Sequence, residues 1–118
     1  MNIENFRAYC LQKNHVTESF PFDDVTLVFK VCNKIFAITG LDEQDFRVNL
    51  KCNPDWAIEL RESYPAVIPG YHMNKQHWNT VIIDGSIPKD LLIQLIDHSY
   101  DLILQSLTKK VKLEYGLL

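Results

Sequence analysis

Val25-Thr26-Leu27-Val28-Phe29-Lys30-Val31, then Cys32-Asn33, then Lys34-Ile35-Phe36-Ala37-Ile38-Thr39: the reading of this stretch decides the fold. Both halves are rich in β-branched and aromatic residues and alternate in character, which is the pattern of half-buried strands. Between them stand only Cys32 and Asn33, and asparagine tolerates the positive φ that a two-residue hairpin demands. The stretch therefore predicts a tight hairpin. Just beyond it, Gly40 through Asp45 carries turn chemistry and three acids, and Phe46 to Cys52 alternates again as a third strand. Three strands joined in sequence predict an antiparallel meander.

The flanks are helical. On the amino-terminal side, Ile3, Phe6, Cys10 and Leu11 recur at helical spacing behind Asn2, a capping residue, and predict a short helix ending near Asn14. A turn-rich link, Phe20-Pro21-Phe22-Asp23-Asp24, joins it to the hairpin. On the other side, Asn53-Pro54-Asp55 combines a cap, a first-turn proline and an acid favoured by the helix dipole, so a second helix should run to about Ser63. Pro65, Pro69 and Gly70 interrupt regular structure, Tyr71 to Met73 is a candidate short strand, and Trp78 to Asp84 reads as a further strand closed by Asp84-Gly85. Pro88 then opens a long helix in which Leu91, Leu92, Leu95, Ile96, Ser99, Leu102 and Ile103 form one broad stripe. The order α-β-β-β-α-β-α over residues 1–118 predicts a single α+β domain, a two-layer sandwich with helices on one face of an antiparallel sheet.

Composition limits the functional classes. A chain of 118 residues that is 47% hydrophobic can bury one core, and no apolar run is long enough to span a bilayer. The first residues lack the basic-then-apolar profile of a secretory signal, so the expected location is the cytoplasm, with no membrane partner. Cys10, Cys32 and Cys52 are odd in number and widely spaced, which fits reduced core thiols better than a zinc site or redox pair. Twelve Lys and Arg against fifteen Asp and Glu leave a net charge of −3, so there is no whole-molecule attraction to phosphate.

The distribution of charge is more informative than its sum. Alternation places Val25, Leu27, Phe29 and Val31 of the first strand, and Phe46, Val48, Leu50 and Cys52 of the third, on the core side. Thr26, Val28 and Lys30, with Arg47, Asn49 and Lys51, then share the open side of the sheet. Glu4, Asp55, Glu59, Glu62, Asp90, Asp97 and Asp101 fall on helices. The expectation is a basic sheet face opposite an acidic helix layer. Such a face can replace the counterions of a phosphate backbone, although three or four cations are few and an ordinary solvated face has the same composition.

The densest group of unusual residues is Pro69-Gly70-Tyr71-His72-Met73-Asn74-Lys75-Gln76-His77-Trp78-Asn79-Thr80. Its two histidines are five residues apart, which suits neither a helical metal pair nor one face of a strand, and no cysteine completes a set. No nucleophile, phosphate-binding glycine loop or carboxylate pair accompanies Lys75 or His77. No catalytic residue, metal site or cofactor is expected. Packing of Tyr71 and Trp78, with His and Asn side chains tying down an irregular loop, accounts for the segment in structural terms.

Gly70-Tyr71-His72-Met73-Asn74-Lys75, followed by His77-Trp78-Asn79-Thr80-Val81, resembles the signature of the MmcQ/YjbR family. Phe20-Pro21-Phe22-Asp23, Val28-Phe29-Lys30-Val31 with Lys34-Ile35-Phe36-Ala37, Leu50-Lys51-Cys52 with Pro54, and Ser99-Tyr100-Asp101-Leu102 resemble its other blocks in order. Asn33 stands where the family often has glycine. The resemblance implies a fold similar to bacterial frataxin and type III secretion chaperones, and a non-enzymatic DNA-binding protein with a "double wing" motif. Lys30, Arg47, Asn49, Lys51 and Lys75 are then the expected DNA contacts, and Tyr71, His72, Asn74, Lys75, His77, Trp78, Asn79 and Thr80 the signature positions. The alternative is a protein- or peptide-binding module like a secretion chaperone, marked by exposure of Tyr71 and Trp78. A frataxin-like metal binder would need acids on the first helix, which offers only Glu4.

Overall fold

A computed structural model describes residues 1–70 and 73–118. In chain order the elements are α1 (Ile3–Leu11), β1 (Val16–Ser19), β2 (Thr26–Val31), β3 (Lys34–Gly40), β4 (Arg47–Lys51), α2 (Pro54–Ser63), β5 (Val67–Pro69), β6 (Trp78–Ile82), α3 (Lys89–Ser106) and α4 (Lys109–Glu114). The strands form one antiparallel sheet in the order β1-β2-β3-β4-β6-β5. The α+β sandwich read from the sequence is the fold observed, with two edge strands and a last short helix added to the expected order. The candidate strand at Tyr71 to Met73 lies largely outside the described residues.

The predicted boundaries follow from local chemistry. Asn2 caps α1 through a reciprocal pair with Asn5, and Asn53 caps α2 by accepting from the Asp55 and Trp56 amides ahead of Pro54. The β2–β3 turn has positive φ at both Cys32 (48°) and Asn33 (67°), as a two-residue hairpin of this hand requires. Asparagine carries that conformation readily, whereas Cys32 does so only because both strands hold it.

Alternation holds along β4, where Val48 and Leu50 are buried between half-buried Arg47, Asn49 and Lys51. It breaks in β3. Phe29 pairs with Ala37 but Lys30 pairs with Ile35, so a β-bulge gives β3 one extra residue. Phe36 and Ala37 consequently both enter the core, while Ile35 and Ile38 both reach the opposite face.

The core lies between this sheet and the helices, with Phe6 against the rings of Phe29 and Phe46 and with Ile96 and Ile103 of α3 fully buried. The bulge also parts β3 from β4, which pair in register only at Ala37–Leu50 and Ile38–Asn49. Ser99 of α3, itself fully buried, fills the gap: its hydroxyl donates to the Phe36 carbonyl (2.6 Å) and accepts from the Lys51 amide (2.9 Å). One side chain thus satisfies two backbone groups that the ladder leaves behind. Further ties run from α1 and the residues just after it: Arg7 pairs with Glu18 of β1, and Tyr9 and Lys13 both meet Asp97 of α3.

Candidate functional site: the open face of the sheet

The sheet face turned away from the helices carries the residues expected to bind a partner. Cross-strand pairing fixes its membership. Val28 opposes Ile38, Ile38 opposes Asn49, Asn49 opposes Thr80, Lys51 opposes Trp78 and Arg47 opposes Ile82, and directly opposed residues share a face. Lys30, Arg47, Asn49 and Lys51 therefore stand on one surface, as alternation predicts. The face is not uniformly basic, however. Arg47 is neutralised by Asp45 in a two-pronged pair, Nε to Oδ1 at 2.6 Å and Nη2 to Oδ2 at 2.8 Å, because the β3–β4 turn folds its acids back beside the strand. The arginine holds the Asp45 carboxyl below its usual range.

The two ends of this face differ. At the end marked by Lys30, Lys51 and Trp78, neither lysine forms an ion pair among the described residues. At the other end a groove of about 440 Å³ is lined by Ile35, Ile38, Asn49 and Thr80 along its floor, by Phe22 and Met73, and by Asp42 and Glu43 at its rim. Phe22, from the β1–β2 link, is 67% exposed, whereas Val28, on the same face of the sheet, is fully buried. The groove depends on Ile35 and Ile38 facing the same way, a product of the bulge that no strict alternation reveals. Asp42 and Glu43 were visible only as turn acids, and Phe22 only as part of a turn-rich link.

The described part of the signature segment, from Met73 on, ties the start of β6 to its neighbours. Asn74 accepts from the Gln76 amide through its side chain and from the His77 and Trp78 amides through its carbonyl, making the turn that starts β6. The His77 carbonyl receives the Cys52 amide, and the Trp78 carbonyl receives that of Gly70. A Cβ at Gly70 would stand 3.0 Å from both the Cβ and the carbonyl oxygen of Trp78, so glycine is required by close approach.

Asn79 points to the opposite side, buried under α2. Its Oδ1 accepts from Arg61 (2.8 Å) and its amide donates to the Ala57 carbonyl (3.4 Å), while the same Arg61 nitrogen reaches the Lys75 carbonyl (3.1 Å). Arg61 thereby locks helix, strand and loop together, and nothing in its helical context signals that. Thr80 donates to Asn49 on the open face. Trp78 is half-buried and Lys75 exposed, while Tyr71 and His72 lie outside the described residues.

The thiols are held in their neutral form. Burial pushes the Cys10 thiol up to about 12 and the Cys52 thiol up to about 11, so neither is a thiolate near neutrality. All three cysteines are buried and free. No cluster of three potential metal ligands occurs among the described residues, and no helix among them is long and apolar enough to cross a membrane.

Comparison with known proteins places this geometry. The uncharacterized protein YjbR of Escherichia coli K12 is 36% identical over 100 residues, 85% of each chain, and YbdF of Escherichia coli O157:H7 is 34% identical over 107 residues, 91% of this chain and 88% of that one. The crystal structure of the Deinococcus radiodurans protein DR2400 superimposes with a TM-score of 0.91 at 40% identity, over 99% of this chain and 89% of that chain. A Pseudomonas syringae protein gives 0.76 at 28% identity, covering 86% and 98%. The YjbR family model matches residues 11–102, and the chain belongs to the YjbR family.

Proposed function

We propose that this protein is a non-catalytic nucleic-acid-binding domain that takes DNA on the lysine end of its open sheet face. The observation that carries the reading is the placing of Lys30 and Lys51 on the sheet face turned away from the helices, beside Trp78 and free of acidic partners among the described residues. Lysines at that spacing supply phosphate contacts, Asn49 is a polar neighbour, and a half-buried indole offers a ring face for a base. Lys75, exposed in the turn before β6, adds a third cation. Arg47 contributes geometry more than charge, because Asp45 already neutralises it. With three phosphates neutralised, the logarithm of affinity should fall with the logarithm of salt with a slope of about −2.7 on duplex and about −2.1 on single strands.

The test is a fluorescence-anisotropy titration of duplex and single-stranded oligonucleotides over a range of salt, using the parent chain and Lys30→Glu, Lys51→Glu and Lys75→Glu. Each reversal should weaken binding and flatten the salt slope by about one unit. Absence of binding at low salt, or a slope that the three reversals leave unchanged, would sink the proposal. A second reading, a protein-binding module, draws on the exposed Phe22 and the apolar groove at the other end of the face.

A further inference from the structure

We infer that the groove at the acidic end of the open face receives the 109–118 segment of a second copy of this chain, giving a reciprocal dimer. The inference does not rest on the nucleic-acid reading: the groove borders the lysine end at Ile35 and Asn49 but uses none of Lys30, Lys51 and Lys75.

Both surfaces are unsatisfied, and their chemistry matches. The groove offers Ile35, Ile38, Phe22 and Met73, with Asp42 and Glu43 exposed at its rim and in no ion pair among the described residues. Leu41, next to that rim, is 49% exposed. The Arg47–Asp45 pair cancels internally, so the rim is net negative. At the far end of the molecule, α4 buries none of its residues. Leu113 is 60% exposed and Leu118 64%, and Lys109 and Lys110 are exposed as well. Gly116, at φ 71°, turns the chain back so that the Leu117 amide bonds to the Lys112 carbonyl, which gathers leucines and lysines into one compact knob. An apolar knob whose three lysines outnumber its one acid, Glu114, fits an apolar groove with an anionic rim.

The chain cannot fill its own groove in this way. α4 rests beside the Cys32–Lys34 turn, with Val111 and Tyr115 lining a cleft against it, and the rim lies beyond the other end of β3. Seven strand residues separate the two ends by roughly 20 Å. Two copies side by side and antiparallel bring each knob to the other's rim, so the same contact forms twice and closes on itself.

Sedimentation equilibrium of the full chain, without nucleic acid, from about 1 µM to about 1 mM tests the inference. The expected result is a rise from one chain mass to two, with the midpoint moving to higher concentration in high salt. Asp42→Lys with Glu43→Lys should hold the protein monomeric, as should Leu113→Asp with Leu117→Asp. Adding Lys109→Glu, Lys110→Glu and Lys112→Glu to the first pair should restore the dimer. A chain that stays monomeric throughout overturns the inference, and so does a dimer that both groove and knob variants leave intact. Circular dichroism confirms that each variant is folded, and if the leucine variant is not, the charge reversal and its restoration still decide the question.

Discussion

Replacing Ser99 by alanine removes a single oxygen, and the structure indicates what that oxygen holds. The hydroxyl occupies the gap opened by the β3 bulge, donating to the Phe36 carbonyl and accepting from the Lys51 amide, with no exposure to water at Ser99. In Ser99→Ala both backbone groups lose their partner in a closed site where the methyl cannot substitute. A buried group left unsatisfied costs about 1–3 kcal/mol, and the Lys51 amide is only partly enclosed, so the sum should be about 2–4 kcal/mol. An entropy of unfolding of about 2.1 cal/mol/K per residue makes 1 kcal/mol worth about 4 °C here, and the midpoint should fall by about 8–16 °C. Urea unfolding followed by circular dichroism measures the loss directly, with an unchanged slope showing that the exposed surface is the same. Ser99→Thr, which retains the hydroxyl, should lose less than alanine. A Ser99→Ala protein within about 0.5 kcal/mol of its parent would refute the bridging role, since that is the ordinary scatter of harmless substitutions.

Asn79→Ala should cost about 1–3 kcal/mol by leaving Arg61 with the Lys75 carbonyl alone and removing the buried bond to the Ala57 carbonyl, and hydrogen exchange of the His77 and Trp78 amides should quicken as the turn loosens. His98 should make stability fall with acid. Its Nε2 accepts from the Asn53 amide, its ring meets Trp56 edge-on at 4.7 Å, and burial lowers its pKa despite the opposing pull of Asp101. The folded state therefore prefers the neutral ring, so its contribution is complete above the unfolded value near 6.5 and is lost as pH falls through the lower folded value. Thermal melts between pH 7.5 and 5 should show this decline, and His98→Gln, an acceptor that does not titrate there, should flatten it; an equally steep decline in the variant would contradict the assignment.

The hairpin, the capped helices and the α3 stripe were legible because each is written in local chemistry: Asn33 in a two-residue turn, Asn53 before Pro54, and leucines at helical spacing. β1 and β5 were not, because four residues of Val16–Ser19 and three of Val67–Pro69 are too short to display alternation and are recruited by their neighbours. α4 escaped because a six-residue helix with one core contact, the half-buried Val111, carries no apolar period. At the site, alternation placed Lys30, Arg47, Asn49 and Lys51 on one face, yet it could not show that Asp45 would return to pair with Arg47 or that a bulge would turn Ile35 and Ile38 together. Those are facts of tertiary geometry, as is the burial of Asn79 beneath Arg61.

The brevity of the two outer strands has a consequence for assembly. A long bare strand at the margin of a sheet is a template on which another chain can add itself, and such addition has no natural end. Here one margin offers only four residues, held from behind by Arg7 on Glu18, and the other only three, finished by a proline that has no amide hydrogen to give. Runaway stacking of subunits rim to rim is thereby discouraged at both sides. Contacts between copies are directed away from the sheet margins, to surfaces where the number of partners is set by shape and charge.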